Sequence, residues 1–167
     1  MSVRLDEIVY RSYIVKYIVR LLEYIMAVGK KIGMEEALKT YASTEWRRGR
    51  TWVKENLSKL DIRGEDAKAA WALVKHSLRM FDPRPINPSE NKIVEDRPEK
   101  VVVHRTAWCP ILEACKVLNL PPHEIYPHFI IQNADALIKT LNPKLSIRMG
   151  KLKPEKNFVE YIIELEK

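Results

Sequence analysis

The chain has 167 residues, of which 46% are hydrophobic, and a formal net charge of +7. This length suits one hydrophobic core and predicts a single domain over residues 1–167. Two cysteines are too few for the disulfide framework of a small secreted protein, and the first residues show no apolar signal segment with a cleavage site. We therefore expect a cytoplasmic protein. The most apolar stretch, YIVKYIVRLLEYIMAV, carries charges that argue against a membrane span.

The positive charge raises the question of nucleic acid binding. The densest basic cluster is WRRGR at residues 46–50. Elsewhere basic and acidic residues are interspersed, and neither zinc-finger spacing nor an aromatic RNP strand accompanies the cluster. We favour a solvated helix face or an anionic-ligand site here, and consider nucleic acid an improbable partner.

Residues 1–81 are predicted to be a helical half with helices at about 5–28, 34–60 and 65–81, packed as one layer. Gly49 lies inside the second helix, which predicts close packing, a kink or a break. The first helix has an apolar stripe with alternating steps of four and three residues. Because these steps are coiled-coil-like, a homodimer through residues 5–28 is one alternative. The stripe consists of Ile14, Ile18, Leu21, Ile25 and Val28.

The remaining sequence alternates between strands and helices. A proline-rich connector covers residues 82–91 and precedes an α+β half at 92–167. That half reads as a hairpin, a helix from Pro110, a longer helix over 123–141 with a kink or division at Pro127, and a second hairpin. The two hairpins are expected to join as one antiparallel sheet covered by helices. The predicted fold class is α+β.

The stretch HRTAWCPILEAC, residues 104–115, is the most informative about chemistry. Cys109 precedes a proline at a predicted strand-to-helix junction, so its sulfur would lie beside unpaired N–H groups and the positive end of the helix dipole. This placement favours a nucleophilic thiolate. The alternative is a thiol buried under Trp108 and chemically inert. Cys115 is expected in the core.

A nucleophilic cysteine needs a base and donors for the substrate. The available imidazoles are His104, His123 and His128, and Glu113 or Asp135 could orient one of them. Candidate substrate-binding residues are Arg47, Arg48, Arg50, Trp108 and Tyr126. Neither a metal nor a cofactor is predicted, because the cysteines and histidines lack the spacing of zinc ligands.

The segment CPILEACKVLNLPPHEIYPHFIIQNADALIKTLNPKLSIRMGKL and the following EKNFVEYIIEL resemble the L-2-amino-thiazoline-4-carboxylic acid hydrolase-like family. The resemblance covers about residues 100–165 and rests on Cys109-Pro110, Asp135 and Asn142-Pro143. It implies hydrolytic opening of a small cyclic amino-acid derivative with Cys109 as nucleophile and His104 or His128 as base.

Two other functions stay open. One is a non-catalytic small-molecule-binding or sensor domain, whose architecture would resemble that of vinyl-reductase-like modules. The other is an interaction module that dimerises through the first helix. The state of Cys109 distinguishes an enzyme from a binding domain, since a catalytic thiol must be accessible and acidic.

Overall fold

The computed structural model describes residues 5–78 and 88–166. Within them the fold is α+β, as the sequence predicts. The helices are α1 (Leu5–Ile32), α2 (Met34–Asn56), α3 (Ala67–Leu78), α4 (Pro110–Leu118), α5 (Pro122–Tyr126) and α6 (Gln132–Leu141). The strands are β1 (Asn91–Arg97), β2 (Lys100–Arg105), β3 (Leu145–Lys153) and β4 (Phe158–Leu165).

The four strands form one antiparallel sheet in the order β1-β2-β4-β3. β1 and β2 are one hairpin, β3 and β4 are the other, and the pairing of β2 with β4 joins them. The prediction that the two hairpins share a sheet is confirmed. One face of the sheet is buried under α3 and α6, because alternate residues of each strand are apolar and point to that side. This inner face includes Val101, Val103, Tyr161, Ile163, Leu145 and Ile147.

The apolar stripe of α1 is buried within the chain. Ile18 and Ile25 are nearly inaccessible and belong to the main core, where α1 packs against α2 and α4. The stripe that suggested a dimer is therefore occupied by intramolecular contacts. A dimer through this helix would have to use its other side.

The second helix runs without a break through Gly49. A Cβ atom at this position would lie 3.1 Å from the Cβ of Ala136 and 3.1 Å from the carbonyl oxygen of Asn133, both on α6. Of the three interpretations of this glycine, close helix packing is the one observed. α2 ends at Asn56, earlier than predicted, and a 3-10 turn follows at Leu57–Lys59.

The predicted long helix is divided at Pro127, as the sequence predicts. α5 ends at Tyr126, and a π-helical turn at Pro127–Ile131 leads into α6. The third helix is described from Ala67 to Leu78. The predicted end of that helix at 79–81 and the connector positions 82–87 lie outside the described residues; a 3-10 turn at Pro88–Glu90 leads into β1.

Candidate functional site

Cys109 occupies the N-cap of α4, with Pro110 at the first helical position, as the sequence predicts. Its backbone is extended, with φ −132° and ψ 114°, and its carbonyl accepts a hydrogen bond of 3.1 Å from the N–H of Glu113. The strand β2 ends four residues earlier at Arg105, so the chain passes from the sheet to the helix within one short turn.

The environment of the Cys109 thiol is apolar. Its side chain is buried, and the loss of water raises the pKa of the thiol. The N–H groups of Leu112 and Ile111 and the guanidinium of Arg105 act in the opposite direction, but burial outweighs them. The helix start therefore does not produce an acidic thiol. Cys115 is fully buried, as predicted, and burial raises its pKa to about 11.

A small cavity lies beside Cys109, and we call it the Cys109 cavity. Its volume of about 20 Å³ is close to the space that one water molecule needs. Arg105 supplies the charged side chain in its wall, and no carboxylate of the described residues forms an ion pair with it. The other lining residues are mainly apolar: Leu78, Trp108, Cys109, Pro110, Ile111, Tyr126 and Ile130.

Two buried tyrosines contribute polar atoms close to this cavity. The hydroxyl groups of Tyr126 and Tyr161 are 2.5 Å apart and form a hydrogen bond. Burial raises the pKa of both, to about 12 for Tyr161, while the charge of Arg105 acts in the opposite direction. Both hydroxyls therefore stay protonated near neutral pH.

Trp108 and Tyr126, predicted to bind substrate, do lie with Cys109 in this cavity. Trp108 also contacts α1, since the guanidinium of Arg11 lies 4.9 Å from its ring centre. Sequence reasoning missed Arg105 and Tyr161 as site residues. The strand alternation contained a signal for Arg105, since it shares a face with Val101 and Val103.

His104 lies on the opposite face of the sheet from Cys109. Its Nε2 is 2.7 Å from an oxygen of Glu160, the residue directly across from it on β4. Its ring packs edge-on against Phe158, with ring centres 5.1 Å apart. Asp135 lies on α6, where its carboxylate forms an ion pair of 3.2 Å with Lys139. Neither residue is brought into contact with the thiol.

His128 lies in a second groove, between α2 and the π-helical turn. We call this the α2 groove; it is lined by Lys39, Ala42, Ser43, Trp46, Arg47, His128 and Gln132. Burial and the nearby charge of Lys39 lower the pKa of His128. Of the three candidate arginines, only Arg47 lines this groove. Arg48 pairs with Glu45 at 2.8 Å, and Arg50 lies over the Trp46 ring at 4.7 Å.

Metal ions and membranes have simple geometric requirements. In residues 5–78 and 88–166, no three histidine, cysteine or acidic side chains come together in a way that could hold a metal ion. The helices of those same residues include none with the length and apolarity to cross a membrane.

Comparisons with known proteins give a likeness of fold. No family model matches the chain, and no curated protein matches it. Among solved structures, the chain is similar to a trafficking protein particle complex subunit 3 from Naegleria fowleri, covalently bound to palmitic acid. The match covers 90% of this chain and 96% of that chain, with 12% identity and a TM-score of 0.59. At this identity the likeness shows the fold alone.

Proposed function

We propose that the chain is a non-catalytic domain that binds an apolar ligand with an acidic end, of the fatty-acid class, at the Cys109 cavity. The observation that carries this proposal is the wall of the cavity, where apolar side chains surround one guanidinium that has no carboxylate partner among the described residues. Arg105 would hold the acid and the apolar wall would hold the chain.

The state of the thiol supports binding over catalysis. A buried thiol with a raised pKa is protonated near neutral pH, and a protonated thiol is a poor nucleophile. The candidate imidazoles lie elsewhere, on the outer face of the sheet and in the α2 groove. We therefore expect the ligand to be held without a covalent bond, in contrast to the palmitic acid of the protein with the similar fold.

The size of the cavity limits how the ligand enters. A volume of about 20 Å³ does not accommodate an alkyl chain, so binding must displace neighbouring side chains. Ile130 is an apolar part of the wall that a bound chain would contact. Replacing it with tryptophan would fill the space and should abolish binding while leaving the charge at Arg105 unchanged.

The test compares an acid and an alcohol of equal chain length. Decanoate and decanol would be titrated into the wild-type protein by calorimetry, with Arg105→Met as the test variant and Arg47→Met, a cation of the α2 groove, as the control. We expect wild type and Arg47→Met to prefer decanoate by about tenfold, and Arg105→Met to lose this preference. Absence of binding, or a preference that survives Arg105→Met, would contradict the proposal.

The hydrolase activity implied by the family resemblance stays a prediction. The observation that favours it is the position of the Ile111 and Leu112 N–H groups beside the Cys109 sulfur, where they could stabilise an oxyanion. Its test is turnover of 2-amino-thiazoline-4-carboxylate by the wild type and by Cys109→Ser. Turnover that the serine variant loses would favour the hydrolase over the binding domain.

A further inference from the structure

The outward side of α1 exposes an unusual amount of aromatic surface. Tyr13, Tyr17 and Tyr24 are 75%, 60% and 68% exposed. Tyrosines are favoured at protein interfaces because each offers a large rigid surface with one polar end. This side of the helix lies away from the buried stripe that packs on α2 and α4.

The exposed residues of this side form two rows with a spacing of seven residues. One row is Asp6, Tyr13 and Arg20, and the other is Tyr17, Tyr24 and Lys31. All six side chains are exposed, and the rows lie side by side because a helix advances by 3.6 residues per turn. Asp6, Arg20 and Lys31 form no ion pair with any of the described residues.

The two rows are related by a two-fold pattern. Asp6 and Lys31 are equidistant from a midpoint between Ile18 and Val19, and the same holds for Tyr13 and Tyr24. Tyr17 and Arg20 share this midpoint as well. In an antiparallel pair of α1 helices crossing there, each residue therefore meets its counterpart on the other copy.

We propose that two copies of this chain pair through the outward side of α1, with the helices antiparallel. Tyr13 then lies against Tyr24 of the second copy, and the Arg20 guanidinium lies over the Tyr17 ring of the second copy. The carboxylate of Asp6 at the start of one helix faces the ammonium of Lys31 at the end of the other, where the helix dipoles also favour these charges.

The pattern of charges favours a second copy of this chain over a membrane as the partner of this surface. A patch of aromatic and basic residues alone would also suit an anionic membrane surface. A membrane, however, gives no role to an acid at one end of the patch matched by a base at the other. None of the six residues lines the Cys109 cavity, so the dimer does not depend on the proposed ligand.

A charge-swap experiment tests the antiparallel register. Sedimentation equilibrium would compare the wild type with Asp6→Lys, Lys31→Asp and the double variant. Because each contact occurs twice in a symmetric dimer, each single reversal should weaken dimerisation by about tenfold, and the double variant should restore it. Glu36→Lys and Lys54→Asp are matched controls, as they reverse exposed charges in the first and last turns of α2.

The aromatic contacts provide a second measurement. The variant with both Tyr13→Ser and Tyr24→Ser should be a monomer with an unchanged circular dichroism spectrum, whereas Val94→Ser removes an exposed apolar side chain on β1 and should remain dimeric. A monomeric wild type, a dimer that persists in the serine variant, or a double charge swap that does not restore dimerisation would overturn the proposal. So would a monomer that binds phosphatidylserine vesicles through these tyrosines.

Discussion

The Cys109 cavity and the α2 groove each contain part of what a cysteine hydrolase would need. The Cys109 cavity has a thiol at a helix start, with backbone donors beside it but no imidazole. The α2 groove has an imidazole of lowered pKa and two cationic side chains, Lys39 and Arg47, but no thiol. The residue types that suggest catalysis are present in the chain, and the fold distributes them over two sites.

This difference between the two sites shows that the placement of residues by the fold matters more for function than the residue types alone. His128 and Cys109 lie on elements that pack into the same core, yet each element turns its polar residue toward a different surface. The proposed binding role requires an apolar wall and a cation at one site. The Cys109 cavity combines these two features in its lining.

The strongest test of the contrast between the Cys109 cavity and the α2 groove is the chemical reactivity of Cys109. In a Cys115→Ala background, we expect iodoacetamide to modify native Cys109 at least about 100-fold more slowly than the unfolded chain at pH 7.5. The reason is that burial both excludes the reagent and keeps the thiol protonated. The measurement is the alkylation rate by mass spectrometry, with and without urea. A native rate equal to that of the unfolded chain would make the cavity a reactive site.

The pH dependence of stability tests the same burial by thermodynamics. The pKa of Cys115 is raised from 9.0 to about 11 in the folded chain, so the folded state holds this proton more tightly than the unfolded state. Stability from this group is complete below pH 9 and is lost as the pH rises toward 11. Two pKa units correspond to about 3 kcal/mol of unfolding free energy.

This pH effect is measured as a difference between two proteins. Urea unfolding of the wild type and of Cys115→Ala at pH 7, 9, 10 and 11 gives the slope of the unfolding free energy with pH. Tyr126 and Tyr161 have raised pKa values in both proteins, so their contribution cancels in the comparison. We expect a shallower slope for Cys115→Ala, and equal slopes would mean that this thiol is hydrated in the folded state.

The tyrosine pair beneath the cavity should contribute a smaller amount. Tyr161→Phe leaves the buried hydroxyl of Tyr126 without its partner, which costs about 1–3 kcal/mol of unfolding free energy. The double variant with Tyr126→Phe should lose less than the sum of the two single variants, because no hydroxyl is then left unpaired. Urea unfolding measures the cycle, and Thr51→Val, which removes an exposed hydroxyl group on α2, is the control with little expected change. Additive losses would argue against the hydrogen bond.

Local patterns predicted the elements and several contacts of this fold. The alternation of apolar residues identified both hairpins, and Pro110 identified the start of α4. The α1 stripe was correct as a buried surface because its period matches one helix face. Its assignment as a candidate dimer surface had no such basis, since periodicity does not distinguish the helix's own core from a second chain.

Contacts between distant residues were beyond the reach of those patterns. The hydroxyl pair of Tyr126 and Tyr161 joins residues 35 positions apart, and the sequence contains no local signal for it. The helix start correctly placed Cys109 among backbone donors, but the sign of its pKa shift depends on how many apolar neighbours cover it. Prolines in helices usually disrupt them, which is why a π-helical turn at Pro127 was not anticipated.

The smallest expected effect is that of replacing His104. This variant tests whether the outer face of the sheet is independent of the inner face, which carries Arg105. The side chains of His104 and Glu160 are 34% and 16% exposed, so solvent still screens the pair and His104→Gln should change the unfolding free energy by less than about 1 kcal/mol. Because the residue points away from the Cys109 cavity, the same variant should leave decanoate affinity at the wild-type value, unlike Arg105→Met. Calorimetry on both variants measures this contrast between neighbouring residues of one strand. If His104→Gln reduced affinity as much as Arg105→Met, strand alternation would not isolate the cavity from the outer face. His104 would then again be a candidate for the chemistry of Cys109.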